Sequence, residues 1–306
     1  NNNNKNDIHL FHIHLMAILI RYSTLSGGQQ LKDLRGGGMQ GAIHAQVFDF
    51  LHEVADCRME CFASPMNAYY CFFLSAFGIM RGRQQQLDMA TDAAFGSCGD
   101  FFAFADNHDD SSNNFNTNGM GGTHEQHTDN VASLFQEGCF ECNPPFAPGF
   151  MLEMVHRLEQ HLVVAEKHKR KLTFIIVVPS GNMDVHADSS SPSVVQIHAE
   201  KSFRAMLRSR FKKHHVVLSS REHGYVEGSQ HLRPTRFKES QYDTSVLVLS
   251  SCSSWCKLRD LDEFDQGLKA AFASRHLLEL EQRRRRTTLD PSTSGTTARE
   301  QKKKRQ

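Results

Sequence analysis

The sequence predicts an α/β fold built on a mostly parallel, doubly wound sheet with an antiparallel edge. Three observations predict it. Residues 172–178 form an unbroken apolar, β-branched run, the composition of a parallel strand covered on both faces. Strand-like runs at 58–63 and 139–142 are each followed by a run with helix signals, which is half of a βαβ unit. Two late strand-like runs, 215–218 and 244–250, lie close in the chain and supply the antiparallel edge.

Taken in order, the polar tract 1–6 lacks apolar residues, and 1–14 is assigned to a disordered N-terminus. Apolar residues on helical spacing, interrupted by histidines, predict a helix over 10–19. The glycine-rich stretch 26–41 reads as a loop. Val47, Phe48, Leu51 and Val54 mark a helix over 43–54. After the strand 58–63, Ser64 is a natural N-cap and Pro65 suits the first helical position, so the aromatic run 68–77 is expected to be helical. Residues 106–130 turn to Asn, Ser, Gly, Asp and His and are read as a disordered insert. Beyond the strand 139–142, Met151, Met154, Val155, Leu158 and Leu162 share one helical face. Pro179 ends the strand 172–178, 181–192 is a polar spacer, and a helix is expected over 202–211. The main domain is therefore placed at 15–272, and 273–306 is read as a basic, Ser/Thr-rich disordered tail.

Composition bounds the function classes. The chain has 306 residues, 39% hydrophobic, enough for a sizeable core. A net charge of +1 gives no bulk attraction to nucleic acid, although basic runs stand at 283–286 and 302–305. The latter read equally as a localisation signal, an RNA grip or a solvated tail. Eight cysteines at irregular spacing are not the dense framework of a small secreted domain, so a reducing compartment is expected. No apolar run approaches bilayer length, and no signal-peptide pattern is present, which argues against a membrane partner. The chain opens at Asn1 rather than Met and is read as a piece of a longer protein.

One motif carries chemistry. Asn143-Pro144-Pro145-Phe146 follows the strand 139–142, at the carboxyl end of a strand, where open α/β sheets bind ligands. An amine on a heteroaromatic ring is a poor nucleophile because its lone pair is delocalised. Two acceptors correct this, the Asn143 side-chain oxygen and the Pro144 carbonyl, each taking one N–H. The prolines stiffen the turn and offer no competing N–H. Phe146 supplies a face on which a base stacks, worth roughly 1–3 kcal/mol. The arrangement predicts S-adenosylmethionine-dependent methylation of an amino nitrogen, on adenine N6, guanine N2 or a glutamine amide alike. No G-x-G-x-x-G is present, so the cofactor site is placed at Phe62-Ala63-Ser64-Pro65-Met66-Asn67, where a helix N-terminus could take the cofactor carboxylate.

Metal readings are set aside. Cys139-x-x-Cys142 has half-site spacing, but residues three apart on a strand face opposite ways, and Cys252 and Cys256 are a poor complement. The 18 histidines are scattered. No metal is assigned.

Several blocks occur in a telling order: Phe62 to Asn67, Phe95-Gly96-Ser97, Phe140 to Phe146, Arg210-Phe211-Lys212-Lys213-His214, Glu222-His223-Gly224-Tyr225, and Gly228-Ser229-Gln230-His231. Together they resemble the catalytic domain of the phosphorylated CTD-interacting factor family, the cap-specific adenosine N6-methyltransferases, over residues 15–255. The resemblance implies a Rossmann-like class I methyltransferase that moves methyl from S-adenosylmethionine to N6 of a 2′-O-methyladenosine beside the mRNA cap, in the nucleus, near RNA polymerase II. It implies that Asn143, Pro144, Pro145 and Phe146 hold the adenine, and that Ala63, Ser64, Pro65 and Asn67 with Gly96 and Ser97 face the cofactor. Glu222, His223, Ser229, Gln230 and His231 would line the substrate side. Lys212 and Lys213 are the expected RNA-phosphate contacts from their place beside that loop. Two departures stand out: the family's WW module needs a tryptophan pair and Trp255 is the only one here, and little of the family's cap-holding helical region fits before residue 15. The competing readings are N6-adenine methylation of other RNA or DNA, and a non-catalytic adaptor of the same fold that binds RNA or RNA polymerase II.

Overall fold

A computed structural model describes residues 2–25, 41–75, 90–104, 134–145, 149–180, 194–227, 237–240 and 242–273. The expected insert 106–130, the spacer 181–192, the tail from 274 and Phe146 lie outside these residues. The chain runs α1 (Asn2–Leu25), β1 (Gly41–Ala42), α2 (Ala45–Ala55), β2 (Cys57–Ala63), β3 (Phe73–Ser75), β4 (Ser97–Asp100), β5 (Gly138–Cys142), α3 (Phe150–Lys167), β6 (Leu172–Pro179), α4 (Val194–Arg208), β7 (Lys212–Leu218), β8 (Gly224–Glu227), β9 (Phe237–Glu239) and β10 (Thr244–Ser250). A last helix, α5, spans 261–273.

Seven strands form the central sheet in the order β4-β3-β2-β5-β6-β10-β7. Neighbours from β4 to β6 run parallel. The antiparallel pairing lies at the other end, where β10 opposes both β6 and β7. A second sheet, β1-β8-β9, is antiparallel throughout.

Strand alternation builds the two core layers. On β6, Leu172, Phe174, Ile176 and Val178 join Met151, Met154, Leu158 and Leu162 of α3 and Met206 of α4. Ile175 and Val177 point the other way, to Val47, Phe48 and Leu51 of α2 and Phe264, Leu268 and Phe272 of α5. A strand covered on both faces must be apolar at every position, which is why 172–178 reads as an unbroken run. Each such side chain contributes roughly 1.5–3 kcal/mol on burial, so a charge at Ile176 or Val177 breaks the sheet. Asp56, in the left-handed region with φ 55°, ends α2 by donating its N–H to His52.

Two expectations are corrected. The N-terminal tract is helical: α1 starts at Asn2. Its anchored half carries it, with Ile18 buried, the Phe11 ring against Phe95, and Arg21 paired with Asp92 at 2.6 Å. Once those turns are fixed, adding residues upstream requires no new nucleus. Over 68–75, the described part of 68–77, the expected helix is absent. Glu60 takes the N–H groups of both Tyr69 and Tyr70, at 2.6 and 3.0 Å, and Phe73 to Ser75 then pair as β3. Backbone donors captured by a buried carboxylate cannot serve a helix.

Candidate functional site

From β2 the chain steps outward through β3 to β4, whereas β5 and β6 lie on the other side. The strand order therefore reverses between β2 and β5. Ligands of open α/β sheets bind beyond the carboxyl ends of the strands at such a switch point. Glu60 pairs in register with Glu141, so two residues on, Phe62 stands level with Asn143. The segments Ala63 to Asn67 and Asn143 to Pro145 thus flank the switch point from its two sides.

Ala63 and Ser64 are buried, and Pro65 and Asn67 are half-buried. The segment is a closed turn rather than a helix start. The Asn67 Oδ1 accepts the Ser64 N–H and the Ser64 hydroxyl, both at 2.8 Å, and the Ser64 carbonyl accepts the N–H of Asn67 and of Ala68. Those donors are spent, so the expected capture of a cofactor carboxylate on a helix N-terminus is overturned here. What the turn does present is a compact, preformed rim.

Across the switch point, Pro144 is buried while Asn143 and Pro145 are half-buried. The Asn143 Nδ2 donates to the Gly41 carbonyl of β1 at 2.6 Å. Its Oδ1 is buried and has no hydrogen-bond partner among the described residues. A carbonyl can only accept, so this bond fixes which end of the amide is which. A buried amide oxygen left unmatched costs about 1–3 kcal/mol, and native structures rarely leave one without a reason. The site holds a waiting acceptor.

Beneath the rim, Glu60 and Glu141 stand side by side on β2 and β5, both buried. Burial pushes both carboxyls up, Glu60 to about 7 against the two N–H groups it accepts, and Glu141 well above the ordinary range, with the nearby Glu60 adding to it. The Glu141 Oε1 also lacks a partner among the described residues. Asp100 closes β4 level with Ser75 and, through it, Ala63, so its carboxyl belongs to the same rim. It accepts the Phe102 N–H at 3.0 Å and is pushed up by burial. Sequence reasoning missed Asp100; its place directly before the apolar Phe101-Phe102, at a strand's end, was the available signal.

Other expected residues fall elsewhere. Gly96 and Ser97 stand at the start of β4, where Ser97 is level with Phe73 and, through it, with Glu60 beneath the rim. Gly96 is explained locally, because its φ is 100° and a Cβ there would lie 2.1 Å from the Cys71 carbonyl oxygen. Lys212 and Lys213 open β7, at the end of the sheet away from the rim, with Lys212 level with Leu249 and hence with Phe174. Glu222 follows the carboxyl end of β7 and is exposed. His223, expected on the substrate side, is 2% exposed and serves the scaffold. Its Nδ1–H donates to the Ser219 carbonyl at 2.7 Å, so its Nε2 accepts the Thr244 hydroxyl at 2.7 Å, and Thr244 in turn accepts the Tyr225 hydroxyl at 2.6 Å. Burial lowers the imidazole pKa, consistent with that neutral form. Phe146, Ser229, Gln230 and His231 lie outside the described residues.

Cys139 and Cys142 point into opposite core layers, as strand alternation demands. Among the described residues no group of His, Cys, Asp and Glu is placed to hold a metal ion, and no helix is long and apolar enough to cross a membrane.

A family model described as "Phosphorylated CTD interacting factor 1 WW domain" matches residues 1–120 and 127–228. The chain belongs to that family. The resemblance carried by the ordered blocks is thereby borne out. The match includes the stretch from β1 to β8, and the single tryptophan, Trp255, lies outside it. What matches is this α/β domain. Curated relatives in Homo sapiens and Mus musculus, each named mRNA (2'-O-methyladenosine-N(6)-)-methyltransferase, are 28% identical over 258 residues. The alignments cover 84% of this chain and 28% of each relative, so the chain spans little more than a quarter of the proteins it resembles.

Proposed function

We propose that this chain is the catalytic sheet of an S-adenosylmethionine-dependent methyltransferase acting on adenosine N6 beside the cap of mRNA. One observation carries the reading: at the switch point, Asn143 spends one amide N–H on Gly41, and its buried Oδ1 has no hydrogen-bond partner among the described residues. That atom is suited to take one N–H of an exocyclic amine. The Pro144 carbonyl is the natural acceptor for the other. Drawing on both protons returns lone-pair density to the nitrogen, and holding it in one orientation supplies much of the rate. No strong base is called for at that nitrogen, which becomes acidic once alkylated.

The β4-β3-β2-β5-β6 part of the sheet follows the 3-2-1-4-5 order of doubly wound nucleotide-binding sheets, which supports a Rossmann-like class I fold. S-adenosylmethionine supplies an electrophilic methyl group. The rim residues fit it: Ala63, Ser64, Pro65 and Asn67 form a rigid turn beside the switch point, and Asp100 offers a carboxyl acceptor at the same rim. The names of the relatives support capped mRNA as the substrate. Contact with a phosphorylated polymerase tail is proposed from the family's printed description, and residence in the nucleus as the compartment of that contact.

The test is transfer of labelled methyl to RNA beginning with a capped 2′-O-methyladenosine. Asn143→Ala is expected to abolish transfer while S-adenosylmethionine still binds. Equal transfer to uncapped RNA removes the cap from the proposal, and loss of cofactor binding in Asn143→Ala moves Asn143 out of the substrate site.

A further inference from the structure

Asn143 can present its oxygen to a substrate only if something holds the amide against rotation. A free asparagine amide turns about its terminal torsion between two broadly similar orientations. In one, oxygen faces the site; in the other, the N–H groups do and meet an amine that also donates. The group that decides between them lies 102 residues away in sequence. It is the Gly41 carbonyl, 2.6 Å from Nδ2.

Gly41 is held in turn. A Cβ on it would meet Cβ and Cγ of Tyr225 at 3.3 Å, so the backbone of β1 lies against that ring. Tyr225 is 5% exposed, and its hydroxyl donates to Thr244, which bonds His223. Thr244 starts β10 and pairs with Pro179 and Leu218, the carboxyl ends of β6 and β7. The small sheet is thereby pinned to the main sheet at the edge where Asn143 stands.

We propose that the Gly41 carbonyl, braced by the Tyr225 ring, is the positioning group of this site: it takes the Asn143 amide hydrogen and so turns the amide oxygen toward the substrate nitrogen. The inference rests on the reading of Asn143 as the acceptor for the amine. It gives the β1-β8-β9 sheet a role in the chemistry without any contact to substrate. It also predicts that a side chain at position 41 disturbs the contact, because its Cβ would stand 3.3 Å from Cβ and Cγ of Tyr225 and one of the two must give by a few tenths of an ångström.

Two variants and two readouts test it. Gly41→Ala is expected to lower kcat about tenfold, since even small misplacements in such geometry are costly, with KM for S-adenosylmethionine unchanged. Asn143→Asp keeps an acceptor but sets a carboxylate oxygen against the Gly41 carbonyl. Its activity is expected to be low at neutral pH and to recover toward acid pH, where the protonated carboxyl can donate to Gly41, whereas the wild type shows no such limb. The second readout is independent of turnover: the ¹⁵N NMR signals of the Asn143 side-chain amide should show one slowly exchanging proton in the wild type, lost in Gly41→Ala. A mobile, fast-exchanging amide, or an Asn143→Asp enzyme with full activity at neutral pH, overturns the inference. A protected amide in a wild type that transfers no methyl to any RNA leaves the positioning contact standing and sinks the proposed function instead.

Discussion

Glu60 shows how one buried side chain can set both a local structure and a pH response. Its Oε1 gathers the N–H groups of Tyr69 and Tyr70, which shapes the segment between β2 and β3, yet it lies side by side with buried Glu141. Its carboxyl is pushed up from 4.5 to about 7, chiefly by burial. The folded protein therefore holds a proton that the unfolded chain releases, and stability falls as pH rises through the window from 4.5 to about 7. The difference is on the order of 3 kcal/mol across that window. Glu60→Gln keeps the acceptor for both N–H groups and removes the ionisation. Urea denaturation at a series of pH values should show a shallower decline for Glu60→Gln than for the wild type; parallel curves would mean that Glu60 stays charged when folded. The opposing contribution of His223, whose lowered pKa makes stability rise with pH, is common to both proteins and drops out of their difference.

At the level of elements, what the sequence made legible was whatever depends on neighbours in the chain. The strands β2, β5, β6 and β10 and the apolar faces of α2 and α3 follow from alternation and helical spacing, and they were placed to within a few residues. Asn143 was legible because it directly follows a strand. The lost expectations each turn on a contact from outside the local stretch. The helix over 68–77 gave way to Glu60, Gly96 answers to the Cys71 carbonyl, and His223 is claimed by Thr244. Helix α1 belongs to the same group, since its attachment comes from residues near 92. Arg21, with a side chain 10% exposed, pairs at 2.6 Å with fully buried Asp92, which also accepts the Ser75 hydroxyl at 2.7 Å. Removing one partner of a buried pair costs about 3–5 kcal/mol, because a buried charge loses its counter-ion. Arg21→Ala is therefore expected to lower stability by about that amount, and Arg21→Lys by less. Thermal melts of both variants check it: a loss under about 1 kcal/mol for Arg21→Ala would reduce the bridge to a surface pair.

The two ends of the sheet divide the molecule's work, and this bears on where RNA can run. The residues proposed to meet substrate or cofactor, Ala63 to Asn67, Asp100 and Asn143 to Pro145, stand at the carboxyl ends of the parallel strands. Lys212 and Lys213 open β7, whose carboxyl end is Leu218, so Lys212 lies six residues from that rim and Lys213 one closer. At about 3.3 Å per residue the separation along the strand is roughly 20 Å. Strand β7 is also the outermost strand, three places beyond β5. An RNA with its target adenosine at the switch point can reach these lysines only by wrapping around the rim of the sheet. Phosphate contacts reveal themselves through counter-ion release: each one steepens the fall of log K with log salt, by about 0.7 for a single strand. With no such wrapping, a Lys212→Ala/Lys213→Ala double variant keeps the wild-type salt slope and methylates capped RNA at the wild-type rate. If the slope instead drops by about 1.4, two phosphates sit on the start of β7. The RNA path would then cross the outer strand, and the substrate surface would extend well beyond the switch point that Asn143 marks.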